Sequence, residues 1–225
     1  MATAGGFDRL DAERTAGSVV EVRYARSGPT DRELRLIGDA AGLRTLDLGT
    51  GSGQAAIALA RRGATSIAID TSAARIASAQ RTAEQSAVRV EWHTGDLSEL
   101  AFLSADSIDL VFSAYALGAV EDLDRLFRQV HRVLRPGGRF VFSYEHPIAT
   151  ALRAQRSAFD DAPLLVERDG AQTAIHLHPI GTVLTALGRA GFRVDTIIEP
   201  RPTASAGETA LLPSTIVWRA KKEGV

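Results

Sequence analysis

The sequence predicts an α/β protein built on a doubly wound parallel sheet, and three observations predict it. Short apolar segments alternate with helical ones between residues 45 and 144, a pattern that leads to parallel strands with helices on both faces. A glycine-rich turn, Gly49-Thr50-Gly51-Ser52-Gly53, joins the first apolar segment to the helix after it. The tail differs: Phe192 to Ile198 and Thr215 to Ala220 read as strands joined by a polar loop without a helix, so they pair antiparallel and the sheet ends in a hairpin.

The elements follow in order. Thr30-Asp31-Arg32-Glu33 reads as a capping box behind Pro29, and a short helix is expected to run through Ala41, burying Leu34, Ile37 and Ala40. Thr45 to Leu48 is the first strand, and Gln54 to Arg62 a helix closed by Gly63. Thr65 to Asp70 is the second strand, Ala73 to Gln85 an alanine-rich helix, and Val88 to His93 the third strand. Ile108 to Ser113 is apolar almost throughout, as a strand covered on both faces should be. Asp122 to Leu134 is a helix with Leu123, Leu126, Phe127, Val130 and Leu134 on one face, stopped by Pro136-Gly137-Gly138. Arg139 to Tyr144 is the fifth strand. Residues from Glu145 to about His178 carry little periodicity, and Ile180 to Ala190 is a helix ended by Gly191. The division expected is an N-terminal helical segment and cap, 1–43, and a main domain, 44–225, with an irregular substrate-side insert over about 145–180.

Composition narrows the function. A hydrophobic share of 45% and a charged share of 24% belong to a globular chain. The formal net charge of −1 gives no general reason to bind nucleic acid or an anionic membrane. With no cysteine, disulfides and thiolate metal sites are excluded. No signal-type apolar core opens the chain and no stretch approaches the length of a membrane span, so a cytoplasmic location is expected.

The glycine turn carries chemistry because of its context. Glycine adopts positive φ and lets a ligand approach the backbone, and the helix start beyond it offers free N–H groups. Asp47 stands two residues before Gly49, and Asp70 ends the second strand, 21 residues after Gly49. A carboxylate at that point can accept hydrogen bonds from ribose hydroxyls in a nicotinamide enzyme as well. Gly95-Asp96 after the third strand offers an acceptor for an adenine amino group, and the terminal hairpin does not suit two mirrored dinucleotide-binding halves.

Leu46-Asp47-Leu48-Gly49-Thr50-Gly51-Ser52-Gly53 resembles the first motif of the class I S-adenosylmethionine-dependent methyltransferases. Ile69-Asp70, Gly95-Asp96-Leu97, Ile108 to Ser113 and Val133-Leu134-Arg135-Pro136-Gly137-Gly138 resemble the later motifs, in the right order. The similarity covers residues 44 to 144, and the rest only by topology. The resemblance implies a seven-stranded Rossmann-like sheet of order 3-2-1-4-5-7-6 with strand 7 antiparallel, and S-adenosyl-L-methionine as cofactor. It implies that Gly49, Thr50, Gly51 and Gly53 line the methionine part, with Asp47 before them. Asp70 would hold the ribose with Thr71 beside the adenine, Asp96 and Leu97 would contact adenine, and Ser113 would face the methionine end. Tyr24 is the candidate aromatic residue over the cofactor carboxylate. The family often has paired histidines soon after the fourth strand, whereas this chain reads Ala116-Leu117-Gly118-Ala119.

The acceptor side is expected beyond the fourth and fifth strands, where open α/β sheets bind ligands. That places Tyr115, Tyr144, Glu145 and His146 near the methyl group, and His146 is the first candidate base, with Tyr115 and Glu145 behind it. A free amine or phenolate acceptor needs no base, because orientation alone supplies roughly 7–11 kcal/mol. His176 and His178 share a face in a strand, but no third metal ligand is evident, and no metal is expected. Arg125, Arg128, Arg132 and Arg135 recur at helical spacing and read as a solvated face. The function expected is methyl transfer to an oxygen or nitrogen, or carbon, of a small molecule, a specialised metabolite for instance. The chain is expected to be a monomer or homodimer without nucleic-acid or membrane partners. The rival readings are a nicotinamide oxidoreductase and a non-methyl S-adenosylmethionine enzyme such as a cyclase.

Overall fold

The computed structural model describes residues 21–25, 28–168, 171–201 and 211–223. Its elements are α1 (Asp31–Leu34), β1 (Arg44–Leu48), α2 (Gln54–Arg61), β2 (Thr65–Asp70), α3 (Ala73–Gln85), β3 (Val90–Thr94) and β4 (Ile108–Ala114). A 3₁₀ turn (Leu117–Ala119) is followed by α4 (Leu123–Val133), β5 (Leu134–Glu145), α5 (Pro147–Arg153), β6 (Leu164–Arg168), β7 (Ala171–Ile175), α6 (Ile180–Arg189), β8 (Phe192–Ile198) and β9 (Thr215–Lys222). Seven strands form one sheet in the order β3-β2-β1-β4-β5-β9-β8. The first five run parallel, and β9 lies antiparallel to both β5 and β8. Because β6 and β7 pair outside the sheet, this is the expected order 3-2-1-4-5-7-6. No helix among the described residues is long and apolar enough to cross a membrane.

The core lies on both faces of the sheet, as continuous apolar strands require. On one face α4 lays down Leu123, Leu126, Phe127 and Val130, all buried, against β5. The rings of Phe140 and Phe142 stack 4.5 Å apart, and Phe142 lies 5.9 Å from Trp218 across the β5–β9 pair. On the other face Val22, Tyr24 and Ile37 pack with α2 and with Leu110, Phe112 and Val141.

Three stretches differ from the sequence expectation. The first helix stops at Leu34 instead of Ala41. The expected capping contact forms, with the Thr30 N–H donating to Glu33 at 2.7 Å. The buried Asp31 carboxylate then accepts the N–H groups of Leu36 and Ile37 at 3.1 and 2.9 Å, and Arg35 takes a left-handed φ of 54°. A side-chain acceptor thus competes with helical bonding and turns the chain. Pro136-Gly137-Gly138 does not separate helix from strand: Leu134 already pairs with Ile108, and the next pair joins Arg139 to Leu110. The Pro-Gly-Gly turn is a bulge inside one strand, pinned by Arg135 on Asp109 at 2.7 Å. Finally, the insert contains α5 and the β6–β7 hairpin. Of the expected N-terminal segment 1–43, residues 1–20 lie outside the described residues, as does most of the polar loop 200–213.

Candidate functional site

The glycine turn leaves β1 and folds back on β2, where the Gly49 and Thr50 N–H groups donate to the Ile69 carbonyl at 2.8 and 3.0 Å. Asp47, buried, braces it from below: one carboxylate oxygen accepts the Thr50 hydroxyl at 2.5 Å and the Ala56 N–H at 3.1 Å. Burial pushes the Asp47 carboxyl up to about 6, although these two bonds pull it down. The glycines have different reasons to be glycine. Gly49, Gly51 and Gly53 all have positive φ (76°, 55° and 80°). A Cβ at Gly49 would stand 2.2 Å from that of Ala116, and one at Gly53 would stand 2.8 Å from Ala79 and the Trp92 ring. A Cβ at Gly51 would meet no atom within 4 Å. Two glycines therefore allow close packing, and the third leaves space open above the turn.

Asp70 closes the turn from the side. It is buried and accepts the Gly51 N–H at 2.9 Å on one oxygen and the Ser72 N–H at 2.9 Å on the other. The Arg75 guanidinium stands 3.8 Å away. Thr71 is exposed beside it. Asp96 is exposed and accepts the Ser98 N–H at 2.7 Å. Leu97 is buried, its methyl 3.4 Å from where a Gly49 Cβ would be. The structure thus brings Asp47, Gly49, Thr50, Gly51, Gly53 and Asp70 into one cradle, with Leu97 against its wall.

The ends of β4 and β5 form the neighbouring part. Ser113 is fully buried and donates its hydroxyl to the Leu48 carbonyl at 2.8 Å, so it ties β4 to β1 and does not present that hydroxyl to a ligand. Tyr115 is half-buried and has a φ of 61°, a left-handed conformation uncommon for an aromatic residue. Its N–H donates to the Ser143 carbonyl at 2.8 Å, and its phenol is hydrogen-bonded to the Thr215 hydroxyl on β9. Glu145, half-buried, ends β5 opposite Thr215. One carboxylate oxygen would lie 3.3 Å from a Cβ at Gly118. The insert is stapled to this corner: the His176 N–H donates to the Gly118 carbonyl at 2.7 Å, and Ile175 lies against Gly118.

Three expected site residues have partners within the protein. His146 is buried and caps α5, with Nδ1 accepting the Ala149 N–H at 3.4 Å while Nε2 lies 2.8 Å from Glu199. With Nδ1 on the Ala149 N–H and Nε2 beside Glu199, both ring nitrogens have partners within the protein. Tyr24 is fully buried, donates its phenol to Asp31 at 2.8 Å and packs 5.7 Å from the Phe112 ring. It is a core post and not an aromatic lid. Ser113 is the third, as described. His178 directs Nε2 to the Leu117 and Val120 carbonyls at 3.2 and 2.9 Å, and burial lowers its imidazole pKa, so it acts as a neutral donor. Among the described residues no group of three His, Cys, Asp or Glu is arranged to hold a metal ion. The arginine row is mostly occupied within the molecule: Arg125 pairs with Glu99, Arg132 donates to the Leu100 and Leu103 carbonyls, and Arg135 holds Asp109.

Sequence reasoning missed Asp31, Glu199 and Thr215. Glu199 and Thr215 act on partners 53 and 100 residues away in the chain, and Asp31 acts on N–H groups beyond the helix it opens, which a capping pattern does not mark. A signal was present for the corner at 116–118, where Ala116 and Gly118 are small because Gly49 and Ile175 press on them.

Residues 46–142 match the family described as a methyltransferase domain. Over 103 residues the chain is 37% identical to the ubiquinone biosynthesis O-methyltransferase of Pseudomonas syringae pv. tomato. That overlap is 46% of this chain and 44% of the relative, so the chain spans less than half of that protein's length. A solved S-adenosylmethionine dependent methyltransferase of Mesorhizobium loti is 28% identical, with a TM-score of 0.67 over 92% of this chain and 99% of that one. An S-adenosylmethionine-dependent methyltransferase of Clostridium acetobutylicum shares the fold at 14% identity, with a TM-score of 0.71 over 98% of this chain and 100% of that one.

Proposed function

From a chain whose residues 46–142 belong to the class I S-adenosylmethionine-dependent methyltransferases, we propose methyl transfer from S-adenosyl-L-methionine to an oxygen or nitrogen of a small molecule. One observation carries the reading. The Gly51 N–H is joined to a buried Asp70 carboxylate, and the space over Gly51 is open where a side chain would otherwise stand. This cradle fits the cofactor: the turn adds no bulk above Gly51, and Asp70 offers a buried acceptor for ribose hydroxyls. Thr71 and Asp96 line the adenine side from exposed positions, and Leu97 supplies an apolar wall.

The cofactor supplies an electron-poor methyl group on sulfur with a good leaving group. The chain's own residues then have two tasks, to orient the acceptor and to take its proton. Tyr115 and Glu145 stand at the ends of β4 and β5, beyond the glycine turn. Glu145 is the carboxylate placed to accept a proton from a hydroxyl or ammonium group there, and Tyr115 gives the acceptor a surface to lie on. Orientation carries most of the effect, since proximity contributes roughly 7–11 kcal/mol against the 10²–10⁴-fold of a typical base. The relative named as an O-methyltransferase of ubiquinone biosynthesis supports a hydroxyl acceptor.

The test is calorimetry with S-adenosylhomocysteine and with NAD, followed by a screen of small phenols and amines with methyl-labelled donor. The expected result is binding of the first ligand alone and label transfer to at least one acceptor. Asp70→Ala should weaken S-adenosylhomocysteine binding by roughly 3–6 kcal/mol, the worth of about two hydrogen bonds to a charged group. Tight NAD binding with no response to S-adenosylhomocysteine refutes the assignment.

A further inference from the structure

Tyr115 adopts a backbone conformation that side chains avoid, at the one point where the chain leaves β4 for the acceptor side. Left-handed φ in a bulky residue persists only where its surroundings hold it, and such residues cluster at functional sites. Contacts on β5 and β9 help to hold this one. The N–H is bonded to the Ser143 carbonyl on β5, and the phenol is bonded to Thr215 on β9. In the sheet order β5 lies between β4 and β9. The Tyr115–Thr215 contact, both side chains included, therefore spans β5, two strand spacings or roughly 9–10 Å, at the end of the strand that Glu145 closes. Ala116, next to Tyr115, packs on Gly49 of the glycine turn. Residues 115 and 116 thus join the glycine turn, through Ala116, to the strand beyond the candidate proton acceptor, through the Tyr115 phenol.

On the proposed function, we infer that Thr215 is a positioning residue. Its hydroxyl, on the antiparallel strand and almost fully buried, fixes the Tyr115 ring as the surface against which the acceptor is oriented. Thr215 itself does not touch the reacting atoms. It acts by restricting the torsion of a ring that the left-handed backbone has already aimed across the sheet. The β5–β9 register sets the placement: Thr215 pairs with Glu145, so its hydroxyl holds the phenol at the strand position opposite the carboxylate. A slip of one residue in β9 would turn its side chain to the other face of the sheet and lose the contact.

The test compares wild type with Thr215→Val, Thr215→Ser, Tyr115→Phe and the Thr215→Val/Tyr115→Phe double variant. Label transfer is measured to catechol, or to whichever phenol or amine of the screen accepts it. Thr215→Val should lower turnover about 10–100-fold, the scale of a small misplacement of the acceptor. S-adenosylhomocysteine affinity and thermal midpoint should stay near wild type. Thr215→Ser should restore most of the turnover, and the double variant should be no worse than the more impaired single one, because both remove the same contact. Phenolate absorbance gives a second readout: the ionisation that disappears in Tyr115→Phe belongs to Tyr115, and it should move in Thr215→Val. Wild-type turnover in Thr215→Val, additive losses in the double variant, or an unmoved Tyr115 ionisation each overturn the inference. A wild-type protein that fails to bind S-adenosylhomocysteine refutes the methyltransferase reading instead, and the phenol titration still decides whether Thr215 holds the ring.

Discussion

Gly51 and Gly53 sit two residues apart with similar backbone, and the structure predicts opposite consequences for replacing them with alanine. Both have positive φ, so either alanine costs about 1–2 kcal/mol in backbone strain. At Gly53 the new methyl would also come 2.8 Å from Ala79 and from the Trp92 ring, overpacking that adds about 1–3 kcal/mol. At Gly51 it would meet no atom within 4 Å, so nothing is added to the strain. Gly53→Ala should therefore lose about 2–5 kcal/mol, a fall of roughly 5–15 °C in thermal midpoint for a chain of this size. Gly51→Ala should lose only the strain, a fall of roughly 2–6 °C. The order reverses for ligand binding. The Gly51 methyl fills the space the turn leaves open, and S-adenosylhomocysteine should bind about 5- to 150-fold more weakly, the equivalent of about 1–3 kcal/mol of overpacking. Stability is read from urea unfolding followed by tryptophan fluorescence, for which Trp92 stands beside the substituted position, and affinity by calorimetry. Equal stability losses, or wild-type affinity in Gly51→Ala, would show that the two glycines do not divide packing from binding in this way.

Two further outcomes follow from the same geometry. His146→Ala should cost about 1–2 kcal/mol through the lost α5 cap and leave the pH profile of turnover unmoved, while His146→Asn, which keeps an acceptor for the Ala149 N–H, should stay near wild type; a turnover loss that shrinks as pH rises would reinstate the ring as a base. Burial raises the Asp47 carboxyl from 3.8 to about 6, so its contribution to stability is fully present below about pH 4, declines as pH rises to about 6 and is flat above, a change of about 3 kcal/mol. Asp47→Asn retains the acceptor for Thr50 and Ala56 without the charge, and its stability relative to wild type should rise over that window in urea titrations at several pH values; a difference that does not vary with pH is the contrary result.

Local chemistry was legible in the sequence, and distant pairing was not. The glycine turn, Asp47 and Asp70 could be read because the residues that shape one another lie within a short stretch or at the ends of adjacent strands. The apolar run of β4 and the face of α4 could be read from periodicity alone. The early end of α1 could not, because Asp31 takes the N–H groups of Leu36 and Ile37 and also receives Tyr24, a competition invisible in a capping pattern. The same holds for His146. Before a proline it looks like an exposed candidate base, and only the fold brings Glu199 to its ring from the far end of β8. The insert was read as irregular because α5 is short and β6 and β7 pair only with each other, so neither presents the face of a large core. Ser113 lies near the end of β4, and its hydroxyl turns down to the Leu48 carbonyl, a choice that alternation along the strand does not specify.

The placement of β9 between β5 and β8 sets an order of assembly. Strands β1 to β4, with the glycine turn and Asp70, can associate through contacts made early in the chain. β5 and β8 each wait for a neighbour that is synthesised last among the described strands. Until residues 215–222 arrive, two strand edges stay open, and open edges invite pairing with other chains. The half of the cleft that would receive the methyl acceptor is finished at the same moment, since Tyr115 gains its Thr215 contact only then. A ribosome-bound chain halted before Thr215 would therefore have a complete cofactor cradle beside an unfinished acceptor wall, and chaperone protection should matter most in that interval.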